Sequence, residues 1–215
     1  MFLVKAREDF RSRGSARSSS AVPSQALEWI WKYLQDVTSP HVLDCGNVSS
    51  ATVSALTQRR AKVYVADLIA PLQRNDPAYW RHSEKEIVFC LDELLRRVPG
   101  IPPASLRLIC CWHLLDLVPR NHLPELVKFL LALLEPGGIF FCFLREPNLA
   151  MGKDGRWRFE TLTTLGAERE GVGQFPNAPL TNREVEKLTA GYSLKTFLTR
   201  SHRREVVVLR AEEEV

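Results

Sequence analysis

The stretch from His41 to Leu68 narrows the choice of fold more than any other part of this chain. Val42 and Leu43 make a short apolar strand that runs into Asp44, Cys45 and Gly46. A small-residue turn leads to a helical stretch from about Ser50 to Arg60, and a second strand, Lys62 to Ala66, ends in Asp67. Strand, glycine turn, helix and strand closing on an acid is the order of a nucleotide-binding βαβ unit. Glycine lets the backbone approach a ligand, and the helix start offers unpaired N–H groups. An acid about 20 residues further on is placed to accept from ribose hydroxyls. The glycine pattern is incomplete, because Val48 and Ser50 stand where a full loop carries two more glycines. Val48 is β-branched and does not take up the positive φ angles open to glycine. A buried βαβ unit without a ligand stays open as the alternative.

With 215 residues there is room for one α/β domain and a sizeable core. The formal charge of +4 is concentrated at the start, where Lys5, Arg7, Arg11, Arg13 and Arg17 face only Glu8 and Asp9. The remainder is close to neutral, which argues against a broad nucleic-acid face. Residues 1–23, with their Arg11–Ser20 run of Ser and Arg, are expected to form a flexible basic arm and linker. Residues 24–215 are expected to form a single domain.

Cys45, Cys90, Cys110, Cys111 and Cys142 are odd in number and show neither C-x-x-C nor Cys/His ligand spacing. They are expected to be buried free thiols in a reducing cytoplasm, with no metal site. Charges follow Val4 at once, so no signal-peptide core is expected. The longest apolar runs, Leu126–Leu134 and Ile139–Leu144, are too short to span a bilayer.

In chain order, Ser24 is the expected N-cap of a helix to Val37, with Leu27, Ile30, Trp31 and Leu34 at helical spacing. Residues beyond Asp67, with Tyr79, Trp80 and His82, read as a loop above the strand ends that could meet a substrate. Residues 84–98 fit one helix face, although Ile87–Cys90 could instead be a strand. Leu106–Trp112 reads as a buried parallel strand. Asn121–Glu135 reads as an amphipathic helix closed by a Pro136-Gly-Gly138 turn before a strand Ile139–Leu144. Residues 145–180 are a long charged connection in which Trp157–Leu162 could be a short strand or helix. Thr181 and Glu184 predict a capping box, and Ser193–Leu198 with Glu205–Leu209 predict an antiparallel hairpin.

Four stretches in this order carry a resemblance: Val42-Leu-Asp-Cys-Gly46, Val63-Tyr-Val-Ala-Asp67, Leu106-Arg-Leu-Ile-Cys-Cys-Trp112 with His113-Leu-Leu115, and Leu133-Leu-Glu-Pro-Gly-Gly-Ile-Phe140. Together with the terminal hairpin, the family's topological mark, they resemble the Rossmann-like (class I) S-adenosylmethionine-dependent methyltransferases over about residues 24–210. The resemblance implies an α/β fold with a mostly parallel central sheet, a C-terminal antiparallel hairpin and helices on both faces. It implies that Asp44, Cys45, Gly46 and Asn47 wrap the methionine part of the cofactor. It implies that Asp67 holds the ribose, that Leu68 packs on adenine, and that Asp92, if it follows a strand, lies near the adenine amine. Cys111, Trp112 and His113 match the segment facing sulfonium and substrate. Trp112 would offer its face to the cation, and His113 is the candidate general base.

The expected activity is methyl transfer to a small-molecule or protein acceptor. The alternative, motivated by Val48 and Ser50, is a catalytically inactive protein of this fold that binds a partner. A nicotinamide-dependent dehydrogenase shares the opening βαβ unit, but the terminal hairpin and the lack of a Tyr-x-x-x-Lys pair disfavour it. No Asn-Pro-Pro-Tyr-like motif follows the fourth strand, so amino-group methylation of nucleobases or glutamine has no support.

Overall fold

A computed structural model describes residues 21–82, 87–145, 156–168, 177–199 and 203–212. The basic arm expected over 1–23 therefore lies outside the described residues except at its end. There β1 (Val22–Pro23) precedes α1 (Gln25–Tyr33), β2 (His41–Asp44), α2 (Ser50–Thr57), β3 (Lys62–Val65) and α3 (Ile69–Gln73). Then come β4 (Trp80–His82), β5 (Ile87–Phe89), α4 (Leu91–Leu95), β6 (Leu106–Trp112), α5 (Leu114–Leu117) and α6 (Leu123–Ala132). The chain ends through β7 (Leu134–Arg145), β8 (Arg156–Phe159), β9 (Thr164–Glu168), α7 (Asn182–Leu188), β10 (Ser193–Leu198) and β11 (Arg203–Leu209).

Six strands form the central sheet in the order β10-β11-β7-β6-β2-β3. β3, β2, β6 and β7 run parallel, and β11 and β10 pair antiparallel beyond β7. Ile109 to Leu115 and Ile139 to Leu144 are all buried, so β6 and β7 are covered on both faces. This is a Rossmann-like α/β fold, with the terminal antiparallel hairpin at one edge. β2 connects to β3 on one side and faces β6 on the other, so the chain reverses direction across the sheet between β2 and β6. In open α/β sheets the crevice outside the strand ends at such a point is where ligands bind.

Several boundaries differ from expectation for physical reasons. Val22 and Pro23, placed in the linker by composition, pair with Leu165 and Thr164 of β9. That contact adds β1 to a second sheet, β1-β9-β8, and because the partner of β1 lies more than a hundred residues away it leaves no local trace. Of the two readings open for residues 84–98, the described part takes the strand: β5 is followed by the short α4. β5 pairs with β4 in a hairpin outside the central sheet, leaving β3 as its edge. Pro136-Gly-Gly138 does not separate helix from strand. It lies inside β7, with Gly137 at φ 72°, where the register against β6 shifts between Leu106 and Leu108.

The N-terminus of α1 is tied to the hairpin edge. Ser24 caps the helix by accepting from Leu27 N–H at 3.1 Å, and its hydroxyl donates to Glu205 Oε2 at 2.9 Å. Ala26 N–H donates to the same carboxylate. Ser24→Ala removes a cap and leaves the buried Glu205 carboxylate short of a donor, so a loss of about 1–2 kcal/mol is expected in urea unfolding. Thr181 and Glu184 form the reciprocal capping box of α7. Among the described residues no helix is long and apolar enough to cross a membrane.

Candidate functional site

β2 delivers Asp44, Cys45 and Gly46 to the crevice, and β6 delivers Trp112 and His113 opposite them. Parallel pairing of Asp44 with Cys110 sets this register, and Cys45 N–H donates to Cys110 O at 2.9 Å. Beyond Cys110 the register against β7 slips, and Trp112 adopts φ 50°, a left-handed conformation. For a bulky L residue that costs about 1–2 kcal/mol. The slip and the twist together turn the indole across the sheet end onto β2.

There the indole lies against Gly46. A Cβ at Gly46 would stand 2.6 Å from Cδ1 and 2.6 Å from Nε1 of Trp112, and 3.0 Å from Asp44 Oδ1. The glycine is required because Trp112 approaches its backbone so closely. Trp112 Nε1–H donates to Asp44 Oδ1 at 2.6 Å, and Gly46 N–H donates to the same oxygen at 2.9 Å. The indole is 2 % exposed, packed edge-on against Phe159 at 5.3 Å and Phe141 at 6.1 Å, and tilted over Phe143 at 5.7 Å. β8 supplies the roof: Phe159 N–H donates to Thr52 Oγ1 at the start of α2, and Trp157 packs on Phe143 at 5.3 Å.

Asp44 is 2 % exposed, and among the described residues no cation is set against it. Burial pushes its carboxyl up to about 6. The N–H donors of Trp112 and Gly46 hold it back, and the charge of Asp67 adds to the rise. Asp67 is half-buried just past β3, and its Oδ1 accepts from Ala70 N–H at 2.9 Å, which opens α3. The cleft that remains, about 250 Å³ including solvent at its mouth, is lined by Gly46, Asn47, Ile69, Gln73, Trp112, His113 and Trp157. The space enclosed within it is about 10 Å³, room for one water-sized molecule and far below the roughly 300–1,000 Å³ of ordinary small-molecule pockets.

His113 is 4 % exposed, with its ring stacked on Phe143 at 5.4 Å and Nδ1 3.4 Å from Asp116 Oδ2. Asp116 also accepts from Arg145 N–H and faces Arg145 Nε at 3.5 Å. A carboxylate at Nδ1 favours the tautomer protonated there, leaving Nε2 as the acceptor.

Asp44, Gly46, Asn47, Trp112 and His113 thus lie together at the crevice, with Asp67 at the neighbouring strand end. Others do not. Leu68 is fully buried, its N–H tied to Cys45 O, and Ile69 lines the cleft in its place. Asp92 is exposed in the first turn of α4, after a strand that is not part of the central sheet. Cys45 and Cys111 are fully buried, and burial raises both thiols, which leaves them packed rather than reactive. Val48 is 72 % exposed, so Trp112, and not the missing loop glycines, fills the space over Gly46. Tyr79 is buried under Arg97 and Trp80 packs on Phe89, away from the cleft lining, while the His82 side chain lies outside the described residues. Among the described residues no cluster of His, Cys, Asp and Glu could hold a metal ion. Sequence reading missed Trp157, Ile69, Gln73 and Asp116. Asp116 alone left a signal, as an acid three positions after a candidate base.

No protein-family model and no curated protein matches this chain. Solved structures similar to it include a SAM-dependent methyltransferase from Methanosarcina mazei, 17 % identical, covering 86 % of this chain and 98 % of its own, TM-score 0.47. Another is the 1,6-didemethyltoxoflavin-N1-methyltransferase of Burkholderia thailandensis, solved with 1,6-didemethyltoxoflavin and S-adenosylhomocysteine bound. It is 14 % identical over 87 % of this chain and 77 % of its own, TM-score 0.48. A third is an S-adenosylmethionine-dependent methyltransferase from Mesorhizobium loti, 15 % identical over 86 % and 99 %, TM-score 0.45. At these identities the likeness concerns the fold alone.

Proposed function

We propose that the protein binds S-adenosylmethionine at the β2–β6 crevice and transfers its methyl group to a small-molecule or protein acceptor. The observation that carries this reading is Asp44: a carboxylate 2 % exposed with no cation against it among the described residues, beside Gly46, whose open face the Trp112 indole covers. An α-ammonium group is the cation such a carboxylate lacks. Gly46 and Asn47 would hold the amino-acid end with Asp44, Asp67 would accept from the ribose hydroxyls, and Ile69 would flank the adenine. Leu68 and Asp92, buried and exposed respectively, are left out of this set. When bound, the cofactor supplies an electrophilic methyl on a sulfonium. Rate then comes chiefly from alignment of the acceptor, which the aromatic walls of Trp157 and His113 would provide. His113, oriented by Asp116, would take a proton at Nε2 from an acceptor hydroxyl or amine.

The seat of Trp112 over Gly46 favours a second reading, a catalytically inactive protein of this fold that binds a partner. Cofactor binding separates the two. Asp67→Ala is expected to weaken binding of labelled S-adenosylmethionine by about 10–100-fold in equilibrium dialysis, since hydrogen bonds to a charged group are worth about 1.5–3 kcal/mol. Equal retention by variant and wild type would exclude Asp67 from the site. The proposed location is the cytoplasm, in keeping with five buried cysteines carried as thiols. The near-neutral folded part supports acceptors other than nucleic acid.

A further inference from the structure

The indole of Trp112 occupies the space directly over Gly46 and donates to Asp44, the two groups that the amino-acid end of the ligand needs. One volume cannot hold both. The indole is held there by a residue in the left-handed region at a register slip, an arrangement that costs energy and is typical of a segment with a second conformation. Ile69 lines the same cleft as the indole, and Asp67 accepts from Ala70 N–H; neither takes part in the indole's hydrogen bond to Asp44.

We infer that Trp112 is the specificity-determining residue of the crevice: it excludes a ligand's amino-acid tail until the indole leaves Gly46. This rests on the cofactor reading above and names what controls that site. The apparent dissociation constant of a tailed ligand is its intrinsic value divided by the fraction of molecules with the indole displaced. A tailless nucleoside escapes this division. Wild-type protein therefore compresses the advantage that S-adenosylhomocysteine should have over 5′-methylthioadenosine, which carries the same nucleoside and sulfur without the amino acid.

The test is calorimetric titration of wild-type protein and Trp112→Leu with both ligands. Leucine keeps an apolar filler among Phe141, Phe143 and Phe159 but frees the face of Gly46 and the Asp44 acceptor. The expected result is at least a tenfold gain in S-adenosylhomocysteine affinity, with 5′-methylthioadenosine within about twofold of wild type. A second measurement needs only the native residue. In protein carrying 5-fluorotryptophan, the fluorine resonance missing from Trp112→Phe identifies Trp112. It should move on adding S-adenosylhomocysteine and stay in place with 5′-methylthioadenosine.

Binding of S-adenosylhomocysteine to wild type with an unmoved Trp112 resonance would overturn the inference and leave the cofactor reading intact. An equal gain for both ligands in Trp112→Leu would also overturn it. Binding of neither ligand to either protein would overturn the inference and the cofactor reading together. Tight binding to Trp112→Leu alone would support the inference and assign the wild-type chain to the inactive reading.

Discussion

Asp44→Asn is expected to make the protein more stable at pH 8, by about 1–3 kcal/mol, while abolishing binding of the amino-acid end of the cofactor. In the folded protein burial pushes the Asp44 carboxyl up to about 6, from an ordinary value of 3.8. Between those values the folded state holds a proton that the unfolded state has released. Stability therefore falls as pH rises through this window, and the contribution is gone above pH 6. Two pH units correspond to about 3 kcal/mol. Asparagine does not titrate, keeps Oδ1 as acceptor for Trp112 Nε1–H and Gly46 N–H, and adds an amide N–H that needs a partner, which discounts the gain. Urea unfolding at pH 5 and pH 8 checks this: wild type should lose stability between them relative to the variant. A variant less stable than wild type at pH 8 would mean that the buried charge is compensated by a group not identified above.

Asp116→Ala has the largest expected effect in the other direction. Asp116 is 1 % exposed, takes the N–H of Arg145, faces its guanidinium and orients His113. Removing one side of a buried ion pair costs about 3–5 kcal/mol, because the remaining charge stays buried without it. The loss should appear as a lower denaturation midpoint with an unchanged slope. Arg145 also donates to Asn177 O, and Arg204 donates to Arg145 O, so the segment entering α7 should loosen with it. Protease nicking near residues 177–182 at denaturant concentrations below the global transition would report that. A variant as stable as wild type would show that the cluster is replaceable.

The βαβ unit was legible because its signals are local: an apolar strand, a glycine turn and a strand-end acid within residues 41–68. The terminal hairpin was legible for the same reason, with Ser193–Leu198 and Glu205–Leu209 close in sequence. Val22–Pro23 was not, because its pairing with β9 is set by partners about 140 residues away, and two residues carry no period. Ile87–Phe89 was ambiguous because three apolar residues fit a helix face as well as a strand, and pairing with Trp80–His82 decided between them. At the site, sequence placed Asp44, Gly46 and Trp112 in one neighbourhood but could not give the direction of the indole. That direction depends on the φ of Trp112 and a slip of one strand against another, neither of which the residue types encode. Val48 points to solvent, and the narrowing over Gly46 comes from Trp112.

The most direct test of the proposed site is calorimetric titration of the wild-type protein with S-adenosylhomocysteine at pH 8, where Asp44 is ionised. A saturable one-to-one isotherm with a dissociation constant between about 1 μM and 1 mM, the range enzymes use for their substrates, is the predicted result. No heat and no saturation at millimolar ligand would contradict it, and the crevice would then belong to a protein that binds a partner instead.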